Sequence, residues 1–202
     1  MWDWLRHLIG RIAQPATVAH RFNVSAAPTG DFWIATRGRL LAQGDLLRDC
    51  LLPVFGPSVR VNSETEAIVD VCQLDVIIVT QSCDLENDKS QFVALCPIYS
   101  LEEFTRINPK FSKKHERDEV RKGRHEGLHM LASPTNPANN LEALIVDCRQ
   151  IYSLPIDYLC AHADSLGARW RLQSPYLEHF SQAFARFFMR VGLPSSIPPF
   201  KG

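Results

Sequence analysis

The pattern of apolar residues is strongest at residues 76–80, where four β-branched side chains precede a threonine. Apolar residues occupy both faces of such a strand, so the pattern predicts a central strand that is buried on both sides. The run ends at a polar segment that includes Ser82 and Asp84, whose side chains favour a turn. Residues 92–99 follow at hairpin distance, and we expect residues 76–80 to pair with residues 92–96.

Other apolar segments predict the rest of a sheet. β-type residues between turn-forming residues predict further strands at residues 31–36, 46–55, 67–72, 128–132, 141–153 and 168–172. A three-residue polar break at residues 73–75 predicts a tight hairpin between the strand at 67–72 and the central strand.

Helical spacing predicts three helical regions. An amphipathic helix is expected near residues 1–13, and a short helix should follow a capping box formed by Ser100 and Glu103. The clearest helix spans residues 175–191, with Ser174 as the cap and a face rich in phenylalanine that we expect to pack in the core. The chain is therefore predicted to be an α+β protein with an N-terminal helix and extension at 1–43 and one domain at 44–202. A helical insertion is expected at about 100–126.

Composition narrows the class of protein. The 202 residues are 46% hydrophobic and 22% charged, which is typical of a globular chain. No apolar run approaches the ~20 residues of a membrane-spanning helix, and charges interrupt the N-terminal apolar residues, unlike in a signal peptide. Six cysteines without a C-x-x-C pair predict free thiols in a reducing cytoplasm.

The formal net charge of zero means that nucleic-acid binding would need a local basic patch. Basic residues outnumber acidic ones between residues 106 and 125, within the predicted insertion. Such a run is usually a solvated helix, and its functional alternative is a contact surface for phosphates. The candidate nucleic-acid-binding residues are Lys113, Lys114, Arg117, Arg121, Lys122 and Arg124.

Two further groups of residues could carry chemistry. Asp147 and Arg149 are two apart in a predicted strand and should project from one face, as a structural ion pair or as a catalytic couple. The segment after the central strand is predicted to form the wall of a pocket. It contains Gln81, Ser82, Cys83 and Asp84. Cys83 is the weakest candidate for reaction, because an adjacent carboxylate opposes formation of a thiolate.

The sequence does not predict a metal or a cofactor. Residues 125–129 spell H-E-x-x-H, which binds zinc when both histidines lie on one helix. Gly127 lies inside the motif and the next residues predict a strand, which would place His125 and His129 too far apart for one ion. The chain contains no G-x-x-x-x-G-K-[ST], G-x-G-x-x-G or G-x-S-x-G motif, so nucleotide-dependent and α/β-hydrolase mechanisms are unsupported.

In the order of its elements the chain resembles the PemK/MazF toxin family, small β-barrel endoribonucleases. The resemblance begins at Gly44-Asp45 and continues through residues 76–81, 92–98 and 144–150 to the C-terminal helix. It implies that residues 44–202 form a small, strongly twisted antiparallel barrel. The family cleaves RNA without metal, using an acidic residue to move a proton and an arginine to stabilise charge. Those roles would fall on Asp147 and Arg149, although their order is reversed.

Two functions therefore follow from the sequence. In the first, the protein is a PemK/MazF-like RNA-binding protein or metal-independent endoribonuclease that holds single-stranded RNA on the basic segment. In the second, it is a non-catalytic binding or sensing module of a bacterial toxin-antitoxin or defence-type system. Its N-terminal or C-terminal helix would then contact a protein partner. The oligomeric state stays open.

Overall fold

The computed structural model describes residues 32–54, 70–87 and 90–189. The predicted N-terminal helix and the predicted end of the C-terminal helix near Gly192 lie outside these residues. The described residues form an α+β fold with eight strands and five α-helices, as the sequence predicts in outline.

The strands are β1 (Trp33–Arg37), β2 (Asp45–Val54), β3 (Asp70–Ile78), β4 (Phe92–Ser100), β5 (Leu128–Leu131), β6 (Leu144–Asp147), β7 (Tyr152–Pro155) and β8 (Ala168–Leu172). The α-helices are α1 (Ser82–Glu86), α2 (Leu101–Ile107), α3 (Lys114–Arg121), α4 (Ile156–Ser165) and α5 (Tyr176–Phe188). Two short 3₁₀ turns, Pro109–Ser112 and Asn140–Glu142, complete the described elements.

The sheet has the order β1-β8-β2-β3-β4-β6-β5, and all of its pairings are antiparallel. β3 lies in the middle and pairs with β4 through Ile77 opposite Cys96, which confirms the predicted central pairing. Val76 and Ile78 pack into one apolar cluster, whereas Ile77 and Val79 pack into the other. Both faces of the central strand are therefore buried, as predicted.

Helices cover the two faces of the sheet. Residues of α2, α3 and α4 pack in one apolar cluster, and Phe180 of α5 packs in the other. Ser100 caps α2 by accepting the Glu103 N–H at 3.1 Å, as its sequence predicts. Ser174 does not cap α5, because its hydroxyl donates to the Glu178 side chain instead. Among the described residues, no helix has the length and apolar content needed to cross a membrane.

The predicted hairpin turn at residues 73–75 is wrong. These residues lie inside β3, which pairs with β2 from Val54 opposite Asp70 to Leu46 opposite Ile77. Cys72 and Leu74 face the core while Gln73 and Asp75 lie on the other face of the strand. Residues 73–75 therefore belong to one long strand and are not a break between two strands.

The predicted barrel is also wrong, because the sheet does not close. Its end strands are β1 and β5, and no backbone pairing joins them in the described parts of the chain. The indole Nε1 of the buried Trp33 instead donates to the carbonyl of Ala132, just after β5, at 2.9 Å. β1 and β5 pair along their lengths with β8 and β6 instead, and the Trp33 side chain provides a contact between the two ends of the sheet.

One long predicted strand, at residues 141–153, is divided in two. β6 and β7 pair with the same edge of β4, β6 through Val146 opposite Ile98 and β7 through Tyr152 opposite Leu95. The residues between them, 148–151, leave the ladder where Pro97 lies in β4. Proline has no N–H to donate, so this position tolerates an interruption.

β2 contains a bulge at Arg48 and Asp49, and Asp49 has a positive φ of 54°. The Asp49 N–H donates to the Asp75 carboxylate at 2.9 Å. Burial, reinforced by the charges of Asp49 and Glu103, raises the pKa of Asp75 from 3.8 to about 6. Between about pH 4 and pH 6, Asp75 therefore stays protonated in the folded protein but loses its proton in the unfolded chain. Its contribution to the free energy of unfolding falls as the pH rises through this range.

An Asp75→Asn variant is expected to be more stable than the wild type at pH 7.5 by about 1 kcal/mol or more. The amide can still accept the Asp49 N–H but carries no charge to desolvate. Urea unfolding at pH 7.5 and at pH 4 measures the effect, which should shrink at the lower pH. Asp164→Asn, at an exposed carboxylate, is the control. A gain that is equal at both pH values would contradict this account.

Candidate functional site

The Asp147 carboxylate stabilises the turn that separates β6 from β7. Its Oδ1 accepts the backbone N–H of Arg149 at 3.1 Å and the guanidinium Nε at 2.7 Å. Its Oδ2 accepts Arg149 Nη2 at 2.7 Å and the Gln150 amide at 3.1 Å. An aspartate that binds the N–H two residues ahead forms a turn, so this side chain itself ends β6.

Asp147 and Arg149 differ sharply in access to solvent. Asp147 is 2% exposed, whereas the Arg149 side chain is 41% exposed. The hydrogen bonds to Asp147 raise the pKa of Arg149, so the guanidinium stays charged. The predicted pair exists, but Arg149 does not lie in a strand, and a turn rather than a shared strand face brings the two side chains together.

Gly127 supports the same turn from the neighbouring segment. Its carbonyl accepts the Cys148 N–H at 2.8 Å, and its φ of 78° suits glycine. A Cβ on Gly127 would lie 2.6 Å from Arg149 Cγ and 2.9 Å from the Phe187 ring. The absence of a side chain therefore lets Arg149 and Phe187 approach this backbone closely.

A shallow cavity of about 580 Å³ lies above this turn, and we call it the basic depression. Its lining residues are Arg124, His125, Glu126, Arg149 and Phe187. Arg124 is 65% exposed and pairs with Glu119 at 3.3 Å. Burial and the nearby charge of Lys110 lower the pKa of His125, so its ring is neutral at pH 7. Arg124 and Arg149 therefore give this lining two positive charges, against the one carboxylate of Glu126.

The two histidines of the H-E-x-x-H sequence lie apart. His125 lines the basic depression, while His129 lies in β5 and lines a second cavity. The segment forms a turn followed by a strand, which confirms the predicted strand at residues 128–132. The helix that this zinc motif requires is not formed at residues 125–129.

The segment after the central strand is not the predicted turn. Gln81 caps a one-turn helix, α1, because its carbonyl accepts the N–H groups of Asp84 and Leu85, and Leu85 is buried. Ser82 accepts the Gln43 N–H at 3.1 Å. Cys83 is exposed, with Sγ 3.8 Å from the Asp84 carboxylate. None of the four predicted pocket residues, Gln81, Ser82, Cys83 and Asp84, lines the basic depression.

The predicted basic segment forms α3 and the residues around it. Lys113 precedes the helix, Lys114 begins it and Arg117 donates to the Ser112 carbonyl. Arg121 and Lys122 form surface ion pairs with Asp118 and Glu119, at 3.4 and 3.9 Å. Exposed pairs of this kind contribute little to stability.

Two of the predicted basic residues line cavities. Arg124 lines the basic depression and Arg121 lines the second cavity. Arg124, from the predicted basic segment, and Arg149, from the predicted Asp–Arg pair, therefore line the same cavity.

A buried ion cluster was not foreseen. Asp45 is fully buried at the start of β2, and its carboxylate accepts Arg169 Nε at 2.9 Å and Arg171 Nη2 at 2.9 Å. Arg169 is 1% exposed and also donates to the carbonyls of Gly38 and Leu40. Arg169 and Arg171 are two positions apart in β8, with Trp170 between them, so both lie on one face of the strand. This spacing was the signal in the sequence that could have indicated the cluster.

Comparisons with protein-family models, curated proteins and solved structures return no match to this chain.

Proposed function

We propose that this protein binds single-stranded RNA at the basic depression, with Arg149 and Arg124 contacting phosphate groups. The observation that carries the proposal is the buried Asp147, which holds the exposed Arg149 in one orientation in a cavity that the exposed Arg124 also lines. A guanidinium presents a planar set of donors that matches phosphate oxygens. Arg149 uses Nε and Nη2 for Asp147, and its remaining nitrogen, Nη1, is available for a ligand.

Phe187 adds an apolar contact to this charged surface. Its ring lies against Gly127 and lines the depression. Aromatic rings beside basic side chains are typical of surfaces that bind single strands, because unpaired bases can stack on them. A duplex keeps its bases inside, so the combination favours single-stranded over double-stranded RNA.

The geometry supports binding better than cleavage. The Asp147 carboxylate is buried, and both of its oxygens accept hydrogen bonds from Arg149 or Gln150. To act as a general base, it would first have to break one of these hydrogen bonds. We therefore assign Asp147 the role of positioning Arg149. A metal-independent endoribonuclease is the second candidate, and the Asp147–Arg149 pair beside an open depression is the observation that favours it.

Binding to a protein partner is the alternative role for the C-terminal helix. Phe188 and Met189, at the end of α5, are exposed and would meet such a partner. This role would suit a sensing module in a multi-protein system, and it is compatible with RNA binding at the depression.

Arg124→Ala is expected to weaken binding of a fluorescein-labelled single-stranded RNA of about twelve nucleotides by roughly five- to tenfold. Loss of one phosphate contact should also reduce the slope of log K against log salt by about 0.7. Fluorescence anisotropy titrations between about 50 and 200 mM salt measure both quantities.

Arg39→Ala is the matched control, because it removes the same charge from an exposed residue that lines neither cavity. Its affinity should equal that of the wild type. Equal losses in the two variants would indicate non-specific attraction, and the absence of binding by the wild type would refute the proposed function.

A further inference from the structure

A second cavity of about 510 Å³ lies beside the edge strand β5, and we call it the aromatic cavity. Phe32 and Tyr176 contribute rings that stack on each other, with centroids 3.7 Å apart and planes inclined by 20°. His129, His179 and Arg121 contribute polar groups to the lining. None of the residues that line this cavity is acidic.

The chemistry of the aromatic cavity suits a nucleobase. The Phe32–Tyr176 pair offers ring surface for stacking. Burial, with the charges of His179 and Arg186, lowers the pKa of His129 to about 4, so its imidazole is neutral. A neutral imidazole offers one donor and one acceptor, and the Asn140 amide in the lining offers both as well. Donors and acceptors beside stacked rings match the edge and the face of a base.

The two cavities lie at opposite ends of one seam between β5 and α5. Residues 124–126 and Phe187 line the basic depression, whereas residues 129–132 and Tyr176 line the aromatic cavity. The Phe180 ring, between Tyr176 and Phe187 on α5, lies 5.9 Å from the ring of His129, which lines the aromatic cavity. Tyr176 and Phe187 are eleven positions apart on α5, which is about 16 Å along a helix axis.

This spacing matches a short stretch of one strand. At roughly 3.4 Å per stacked nucleotide, 16 Å corresponds to about five nucleotides, and to fewer when the strand is extended. Arg121 is the last residue of α3, Arg124 follows it by three residues, and each lines one of the two cavities. Each end of the seam therefore has an arginine of this segment in its cavity lining.

We propose that the aromatic cavity is a base-binding subsite for the same RNA strand whose phosphates contact Arg149 and Arg124. The strand runs along the β5–α5 seam, with a base stacked on the Phe32–Tyr176 pair and phosphates in the basic depression. This inference rests on the proposed function and extends it from a phosphate contact to recognition of a base.

The test separates base binding from phosphate binding. Saturation-transfer NMR with adenosine and with uridine, which have no phosphate, is expected to show transfer to base protons in the wild type. Tyr176→Leu, which keeps apolar volume, and His179→Ala, at an exposed residue, should each reduce this transfer at least about twofold. Arg39→Ala is the control that should leave it unchanged.

Anisotropy titrations complete the test. Tyr176→Leu is expected to weaken binding of single-stranded RNA about tenfold, because one stacking contact is lost. It should not change binding of an abasic strand with the same sugar-phosphate backbone. An equal loss for both strands, or no nucleoside signal from a wild type that binds RNA, would overturn the base subsite and leave the proposed function standing. No binding of RNA by the wild type would overturn both.

Discussion

An Asp45→Asn variant is expected to lose about 3–5 kcal/mol of its free energy of unfolding. The change keeps the size of the side chain but removes the only carboxylate that the structure places against Arg169 and Arg171 in the described residues. Arg169 would then be a buried charge without a counter-charge. Because native domains are stable by only about 5–15 kcal/mol, such a loss would unfold a large fraction of the protein on modest heating.

Urea unfolding followed by tryptophan fluorescence, to which the buried Trp33 and Trp170 contribute, measures this loss. Asp164→Asn, at an exposed carboxylate, is the matched control and should unfold like the wild type. The double variant Asp45→Asn/Arg169→Met should be less destabilised than the sum of its single changes, because it also removes the uncompensated charge. An Asp45→Asn variant as stable as the control would show that the cluster adds nothing to stability.

An Asp147→Asn variant is expected to bind single-stranded RNA about tenfold more weakly than the wild type. The amide cannot accept two charge-assisted hydrogen bonds from Arg149, so the guanidinium would lose its fixed orientation beside Arg124. The stability of the fold should fall less than in Asp45→Asn, by about 1–2 kcal/mol, because the Arg149 side chain is 41% exposed and water can solvate it.

Anisotropy titrations and urea unfolding of the same preparation separate the two effects. Asp84→Asn is a suitable control, since it removes a carboxylate outside both cavities. Wild-type affinity in Asp147→Asn would show that Asp147 does not position a binding group.

The same variants decide between binding and cleavage. A binding module should leave labelled single-stranded RNA intact during long incubation with a metal chelator, as judged on a denaturing gel. Cleavage by the wild type that disappears in both Asp147→Asn and Arg149→Ala would contradict the binding-only role and support the metal-independent endoribonuclease.

Local patterns predicted most of the fold. The β-branched run at residues 76–80 predicted the central strand, and the capping pair Ser100 and Glu103 predicted the start of α2. Both signals depend on neighbours in the sequence, through alternation or through a hydrogen bond across three residues. Residues 73–75 misled the prediction because Gln73 and Asp75 alternate with the buried Cys72 and Leu74 within a continuous strand.

The candidate site was predicted only in part. Asp147 and Arg149 are close in sequence, and their pairing followed from that proximity, although a turn and not a strand produces it. Asp45 and Arg169 are distant in sequence, and nothing local indicates that the fold would bury them together. The failure of the sheet to close was equally hidden, because it depends on how far β1 and β5 diverge after several intervening strands.

The sequence by itself determined an α+β chain with a buried central strand, a charged helical insertion and an adjacent Asp–Arg pair. Each of these features follows from side chains within a few residues of one another. Only the tertiary structure decided that Arg124 from the insertion lines the same cavity as Arg149, and that His125 and His129 of one motif line different cavities. The physical reason is that a strand carries successive side chains to opposite faces, while the packing of α5 on β5 sets which of them share a surface.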